Sequence, residues 1–381
     1  MDFSLTEDQK MLKTMLRDFA KKELEPVAAQ IDETEEFPAE QVRKIADLGL
    51  MGLTIPEEYG GSGKGMIEFC IAVEELAQAC AAAAAIFRVS LSLAISPIRL
   101  YGTDEQKRRF LVPHAKGEKL ACFALTEAGA GSDPASLETT AVRQGDGYLL
   151  NGNKLFTTLG AEADIAVVFA TIDKSLRHRG ITAFIVEKGT PGFSVGKHER
   201  KLGLHGVSAT ELIFENCRVP EENRLGEESQ GFRVALDALD ESRVTVGAEA
   251  VGIAQAAFNA ALNYAKERQQ FGQPIANFQA IQWMLADMAT QIEAARLLTY
   301  QAAYLQDQGL PFIKEAAMAK LFASEVSSFV TNKAIQIHGG YGYTKDYPLE
   351  RYLRDAKVTE IYEGTSEMMR MTIARQLIRG S

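Results

Sequence analysis

Tyr148-Leu-Leu-Asn-Gly152, Ile165-Ala-Val-Val-Phe169, Thr182-Ala-Phe-Ile-Val186 and Thr210-Glu-Leu-Ile-Phe214 are short runs rich in aliphatic and aromatic residues. Gly, Asn and Asp separate them, so they read as strands. They predict a compact β domain over 120–225. On either side the hydrophobic period lengthens. Thr6-Glu-Asp-Gln9 fits a helix capping box, and Leu12, Met15, Leu16 and Phe19 then recur on one face. Phe37-Pro38 ends that run, a second helix is expected over 39–48, and helical periodicity resumes from Met66 after a loop holding Pro56 and Gly60-Gly-Ser-Gly-Lys-Gly65. Beyond Gly231 helical signals cover 231–268, 278–307 and 313–337, with a shorter stretch at 366–379. Long helices with short connections suggest an antiparallel bundle. The expected organisation is α+β and multidomain: a helical domain over 1–119, the β domain, and a helical bundle over 226–381. Regular α–β alternation is absent, which disfavours a doubly wound sheet.

The chain has 381 residues, 46% hydrophobic and 24% charged, as in an ordinary globular protein. Its net charge of −10 argues against nucleic acid as a partner, because phosphates call for a basic face. Cys70, Cys80, Cys122 and Cys217 form no C-x-x-C pair, and the five histidines form no H-E-x-x-H. No metal site is expected, and the thiols read as free, buried and reduced. The N-terminal MDFSLTEDQK is polar and acidic, neither a secretory nor an Arg-rich transit signal. The longest apolar stretch, Ala79 to Phe87, falls short of the ~20 residues that cross a bilayer. A cytoplasmic protein without a membrane span is expected.

Several nucleotide and hydrolase motifs fail. Gly63-Lys64 is followed by Gly65 instead of Ser or Thr, and Glu58 stands where a P-loop needs Gly. In Gly129-Ala-Gly-Ser-Asp-Pro134 a proline replaces the third glycine of a dinucleotide fingerprint. Gly206-Val-Ser-Ala-Thr210 lacks the last glycine of a nucleophile elbow.

Three segments survive. Phe123-Ala-Leu-Thr-Glu-Ala-Gly-Ala-Gly-Ser-Asp133 runs from a strand into a loop where Gly129 and Gly131 let a ligand approach the backbone. Arg268-Gln-Gln-Phe-Gly-Gln-Pro-Ile275, ahead of Phe278-Gln279, puts a guanidinium at a helix end. It serves there either the helix dipole or a pyrophosphate. Ile337-His-Gly-Gly-Tyr-Gly-Tyr343 is followed by Arg351 to Glu367, in which Glu363-Gly364 directly precedes a helix that Thr365 or Ser366 can cap.

These segments, TEAGAGSD, RQQFGQPI with FQ, IHGGYGYTKDYPLERYLRDAK and EIYEGTSE, resemble the acyl-CoA dehydrogenase family in order and spacing across essentially the whole chain. The resemblance is to the short- and medium-chain-like branch. It implies an N-terminal helical domain, a middle β-barrel, a C-terminal four-helix bundle and, usually, a homotetramer with FAD at a subunit interface. It also implies α,β-dehydrogenation of an acyl-CoA thioester in fatty acid metabolism, with electrons passed to electron-transfer flavoprotein. A carboxylate takes the α-proton while hydride leaves Cβ for the flavin. Such a base must be well placed and poorly solvated, and desolvation raises a carboxylate's pKa toward the working range. By resemblance the base is Glu363, with Gly364 beside the thioester. Some branches place the base on the earlier bundle helix, where Glu267 is the rival.

Position by position, the resemblance assigns Phe123, Leu125, Thr126 and Ser132 to the flavin ring, with Ser132 also reaching CoA. Phe156, Thr157 and Thr158 stand beside the flavin, although Thr157 replaces a typical Ile and Leu159 a frequent Asn. Arg268, Phe271 and Gln279 would reach a neighbouring subunit's FAD, as would Gln336, Gly339 and Gly340. Thr365 and Glu367 would hold the adenosine end. Asp240 and Arg243 would contact CoA, or else form a helix-surface pair at i, i+3.

Ala84–Ile95 should line the acyl pocket, where Arg88 is the outlier. It either reaches solvent or meets the distal carboxylate of a dicarboxylyl-CoA. Glutaryl-CoA dehydrogenases resemble this chain but carry their arginine at the position of Ala84. Cyclic or branched acyl groups, an acyl-CoA oxidase, an enoyl-CoA reductase and a non-enzymatic scaffold remain the alternatives.

Overall fold

A computed structural model describes residues 4–379, so residues 1–3 and 380–381, the outermost ends of the expected first and last domains, lie outside the described residues. The chain starts with seven helices: α1 (Glu7–Phe19), α2 (Ala28–Thr34), α3 (Ala39–Asp47), α4 (Met66–Ala79), α5 (Ala81–Arg88), α6 (Ser96–Tyr101) and α7 (Asp104–Ala115). The capping box is present: Gln9 N–H donates to Thr6 Oγ1 and Thr6 N–H donates to Gln9 Oε1. Cys80 adopts an extended backbone and separates α4 from α5, so the alanine-rich run is two helices. Between α5 and α6, Val89–Ile95 winds as a π-helix. The run Ala81–Tyr101 has a mean hydropathy of 1.7 and the length of a membrane span, but all of that window is buried inside the protein. It is the spine of the core.

Eight strands follow: β1 (Ala121–Ala124), β2 (Thr140–Gln144), β3 (Gly147–Thr158), β4 (Ile165–Thr171), β5 (Ile181–Glu187), β6 (Phe193–His198), β7 (Ala209–Pro220) and β8 (Arg224–Leu225). They form one mixed sheet in the order β6-β7-β3-β2-β4-β5-β8, with β1 parallel to β4. The four runs read as strands lie in β3, β4, β5 and β7. β2 and β6 escape the sequence pattern because each has only one fully buried residue or none. The last part holds α8 (Gly231–Glu267), a hairpin of β9 (Gln269–Gln270) and β10 (Gln273–Pro274), then α9 (Gln279–Asp307), α10 (Ile313–His338), α11 (Leu349–Val358) and α12 (Ser366–Arg379). Helices α8, α9 and α10 share a core of Ala250, Ala254, Met288, Ile292 and Val330. Small residues along α8 let its neighbours approach: a Cβ at Gly252 would lie 2.6 Å from the Glu74 carbonyl oxygen of α4.

The four cysteines are buried and unpaired. His114, in α7, is wholly buried, and its ring contacts the Lys119 carbonyl through Nδ1 at 3.0 Å. Burial holds its pKa down at about 4. Protonation is thus easier in the unfolded chain, so stability falls as pH drops from about 6.5 to 4, by up to about 3 kcal/mol. His114→Gln should flatten that part of a melting-temperature profile against pH.

Candidate active site

Glu363 lies in the connection between α11 and α12, with a backbone φ of +55°, followed by Gly364 at +106°. A side chain at Gly364 would meet Met369 Cε at 2.6 Å. Two cations fix this irregular pair from the bundle. Arg243 Nε on α8 donates to the Glu363 carbonyl at 3.1 Å, and Lys320 Nζ on α10 donates to the Gly364 carbonyl at 2.6 Å. Burial lowers the Lys320 ammonium to about 8, with Glu363 pulling the other way. Thr365 caps α12, its hydroxyl accepting from Met368 N–H at 3.4 Å.

The Glu363 side chain is 4% exposed. One oxygen, Oε1, accepts from Arg88 NH1 at 2.7 Å, while Oε2 is buried without a partner. Arg88 corrects its sequence reading. It does not reach solvent, being fully buried, and two protein carboxylates take its Nε and NH1, leaving NH2 without a partner. Its Nε donates to Glu249 Oε2 at 2.6 Å and its NH1 also reaches Ser242 Oγ at 3.2 Å. The Tyr362 hydroxyl donates to the same Glu249 oxygen, and the Tyr362 ring lies 4.9 Å from the guanidinium carbon. Burial pushes the Glu249 carboxyl up, with Arg88 and Tyr362 pulling it back. Sequence reasoning missed Glu249, whose only signal was a carboxylate on an otherwise apolar stretch of α8.

Asp240 and Arg243 are not a surface pair: both are buried and ion-paired to each other. Burial raises the Asp240 carboxyl to about 6, against the pull of Arg243. The rival, Glu267, lies outside this cluster. Glu267 is exposed in the last turn of α8, about 36 Å along the helix from Arg243 at ~1.5 Å per residue.

The sheet brings a second surface toward this cluster. The Phe123 ring on β1 lies tilted against that of Phe169, 4.8 Å between centroids, and packs with Val89, Leu93, Ala238 and Leu239, next to the segments carrying Arg88 and Asp240. Past β1, Thr126 accepts Leu155 N–H at 2.8 Å. Lys154, fully buried, donates to the Leu125 carbonyl at 3.2 Å and to Glu127 Oε1 at 2.7 Å. Glu127 in turn accepts the N–H groups of Glu138 and Thr139. A bulge between Lys154 and Thr157 shifts the β3–β7 register. At that bulge Phe156 takes a φ of +53° and turns its ring outward, 61% exposed. Leu125 and Thr157 are buried, and the Thr157 hydroxyl has no hydrogen-bond partner within the protein. Thr126 and Thr158 are partly open, Ser132 is exposed, and a Cβ at Gly129 or Gly131 would meet nothing.

The remaining expected residues form a separate, exposed group. The Arg268 guanidinium lies 5.6 Å from the Tyr341 ring, joining the end of α8 to Gln336, Gly339 and Gly340 at the end of α10. Phe271 is 92% exposed with a φ of +53°, and Gln279 is exposed nearby at the start of α9. Glu367 is exposed in the first turn of α12. Among the nine described non-glycine residues with positive φ are Phe156, Phe271 and Glu363, one in each group. Such backbone clusters at functional positions.

Residues 6–118, 122–217 and 229–378 match, in order, the models of the N-terminal, middle and C-terminal domains of acyl-CoA dehydrogenase. The chain belongs to the acyl-CoA dehydrogenase family. It is 50% identical over 379 residues to the short-chain specific acyl-CoA dehydrogenase of Clostridium acetobutylicum, covering all of both chains. It is 54% identical over 381 residues to the acryloyl-CoA reductase (NADH) of Anaerotignum propionicum, covering 96% of that protein and all of this chain. A chain in the solved structure described as the electron transferring flavoprotein of Acidaminococcus fermentans superimposes with a TM-score of 0.98, at 50% identity and full coverage of both. The exposed Phe156 ring, the hydroxyls of Thr126 and Thr158 and the open glycine loop fit the flat, polar-rimmed flavin of this dehydrogenase family.

Proposed function

We propose that this chain is an FAD-dependent dehydrogenase of short acyl-CoA thioesters that hands its electrons to electron-transfer flavoprotein. The observation that carries the reading is the Glu363 carboxylate, buried, held by one oxygen and unpartnered at the other. In the reaction the Cα–H bond breaks toward Glu363 and the Cβ–H bond loses its electron pair as hydride, leaving a trans-2-enoyl-CoA. Bound FAD supplies the hydride acceptor. The chain's part is to place the base, exclude water and hold the cofactor. Glu363 carries the proton. Gly364 leaves room for the thioester. Phe123, Leu125, Thr126, Phe156, Thr157, Thr158 and Ser132 hold the flavin. Arg268, Phe271, Gln279, Gln336, Gly339 and Gly340 serve a second copy's cofactor in a homotetramer, and Thr365 and Glu367 hold the adenosine end of FAD. Asp240 and Arg243 flank the base and meet CoA at the rim. The boundaries 119/120 and 225/226 divide the chain into its three domains, and the protein works in the cytoplasm.

The test is anaerobic: purified yellow protein is titrated with straight, branched, cyclic and dicarboxylyl CoA thioesters while flavin absorbance is followed. Bleaching is expected with the short straight thioesters, and failure with every thioester would refute the reading. Identity to an acryloyl-CoA reductase favours a second reading, with electrons entering from the acceptor side. Pre-reduced enzyme that reoxidises faster with a short enoyl-CoA than oxidised enzyme bleaches with its saturated partner would support that direction.

A further inference from the structure

The assignment of Glu363 as the base leaves Arg88 and Glu249 without a part in the chemistry. We propose that they are a positioning pair for that base. Arg88 anchors one Glu363 oxygen so that the other faces the substrate, and Glu249 offsets the Arg88 charge so that Glu363 remains basic enough to take the α-proton. This inference rests on the reading of Glu363 given above.

A guanidinium beside a carboxylate favours the ionised form and weakens it as a base. Here the guanidinium is shared. Glu249 takes Nε at 2.6 Å, Ser242 and Glu363 share NH1, and the Tyr362 ring lies against it. Its plane is therefore set from α8 and from the residue before Glu363, and Glu363 inherits that orientation. The grip is single: Oε2 of Glu363 is left without a partner. The charged and titratable groups around Glu363 are Arg88 from α5, Asp240, Arg243 and Glu249 from α8, Lys320 from α10, and the adjacent Glu360 and Tyr362. When Glu363 accepts a proton, Arg88 and Glu249 remain as a neutral pair, so no buried arginine is stranded. The backbone agrees with a specialised site. The π-helical segment starts directly after Arg88, and Ser92 within it donates to the Arg88 carbonyl at 2.7 Å while touching Ser242 at 2.9 Å.

The experiment measures anaerobic flavin reduction by saturating butyryl-CoA across pH in the FAD-loaded protein, comparing wild type, Glu249→Gln, Arg88→Met and the double variant Arg88→Met/Glu249→Met. In Glu249→Gln the acidic limb of the rate profile should move down by about one pH unit or more, with a plateau about tenfold lower. In Arg88→Met the limb should move up by a similar amount. The double variant should return the limb to its wild-type position with a reduced plateau and an unchanged KM, because Oε1 has lost its anchor. Melting temperatures and flavin content that change while the limb stays fixed in every variant would overturn the proposal and leave a structural pair. Where a single variant does not fold, the double variant decides, because exchanging a buried pair for apolar side chains is tolerated far better than stranding one partner. A wild-type plateau there would overturn the proposal. Wild-type protein that no thioester bleaches would defeat the proposed function itself, an outcome distinct from bleaching with an unmoved limb.

Discussion

Glu363→Gln is expected to retain FAD and to lose reduction by an acyl-CoA, with the rate of anaerobic bleaching falling about 10²–10⁴-fold. The substitution is nearly isosteric. The amide oxygen still accepts from Arg88 NH1, and the backbone clamps from Arg243 and Lys320 reach carbonyl oxygens, which the change leaves alone. Arg88 also keeps Glu249 as a counter-charge, so the fold should survive. What disappears is the ability to take a proton. Stopped-flow reduction with butyryl-CoA, alongside the flavin absorbance ratio of the purified protein, checks both halves. Full retained activity would show that another group is the base.

Lys154→Met is expected to be the most damaging substitution in the β domain, lowering stability by about 3–5 kcal/mol. Lys154 is fully buried, and burial lowers its ammonium to about 8 despite the opposing pull of Glu127. Burial also pushes Glu127 up, but Lys154 and the N–H groups of Thr139 and Glu138 outweigh it and hold the carboxylate below its usual range. Removing the lysine strands an ionised carboxylate and releases the Leu125 carbonyl. The chain beside Thr126, which we propose lies along the flavin ring, then loses its anchor. The expected result is a lower melting temperature together with weaker FAD retention on gel filtration. Glu127→Gln added to Lys154→Met should recover part of the stability, because it removes the stranded charge, while the amide oxygen keeps one of the two backbone N–H groups that bind separate carboxylate oxygens.

The helical parts were legible because their pattern is local. Thr6 and Gln9 sit three apart and cap α1 as the pattern requires, and Gly339 follows the last residue of α10. β4, wholly buried, and β5, buried except at Glu187, read as continuous apolar runs, whereas β6 is exposed or half-exposed throughout and carries little pattern. Glu363 stands out through the string Tyr362-Glu-Gly-Thr-Ser-Glu367, which carries the family resemblance, and not through periodicity. Local sequence cannot show that Arg88 and Glu249, far apart in the chain, meet in a core, nor that Arg88 pairs with Glu363. It equally cannot show a bulge. Alternation alone would have put Phe156 and Thr158 on one face and Thr157 on the other. The structure keeps that outcome only by turning Phe156 into the left-handed region.

The most direct measurement is exchange of the α-hydrogens of an enzyme-bound thioester with solvent deuterium, followed by NMR on a CoA thioester that cannot be oxidised, such as acetyl-CoA. Holoenzyme with Glu363 intact should catalyse incorporation of deuterium at C2, and Glu363→Gln should reduce it to the rate without enzyme. Deuterium incorporation that continues undiminished in Glu363→Gln would contradict the account at its centre.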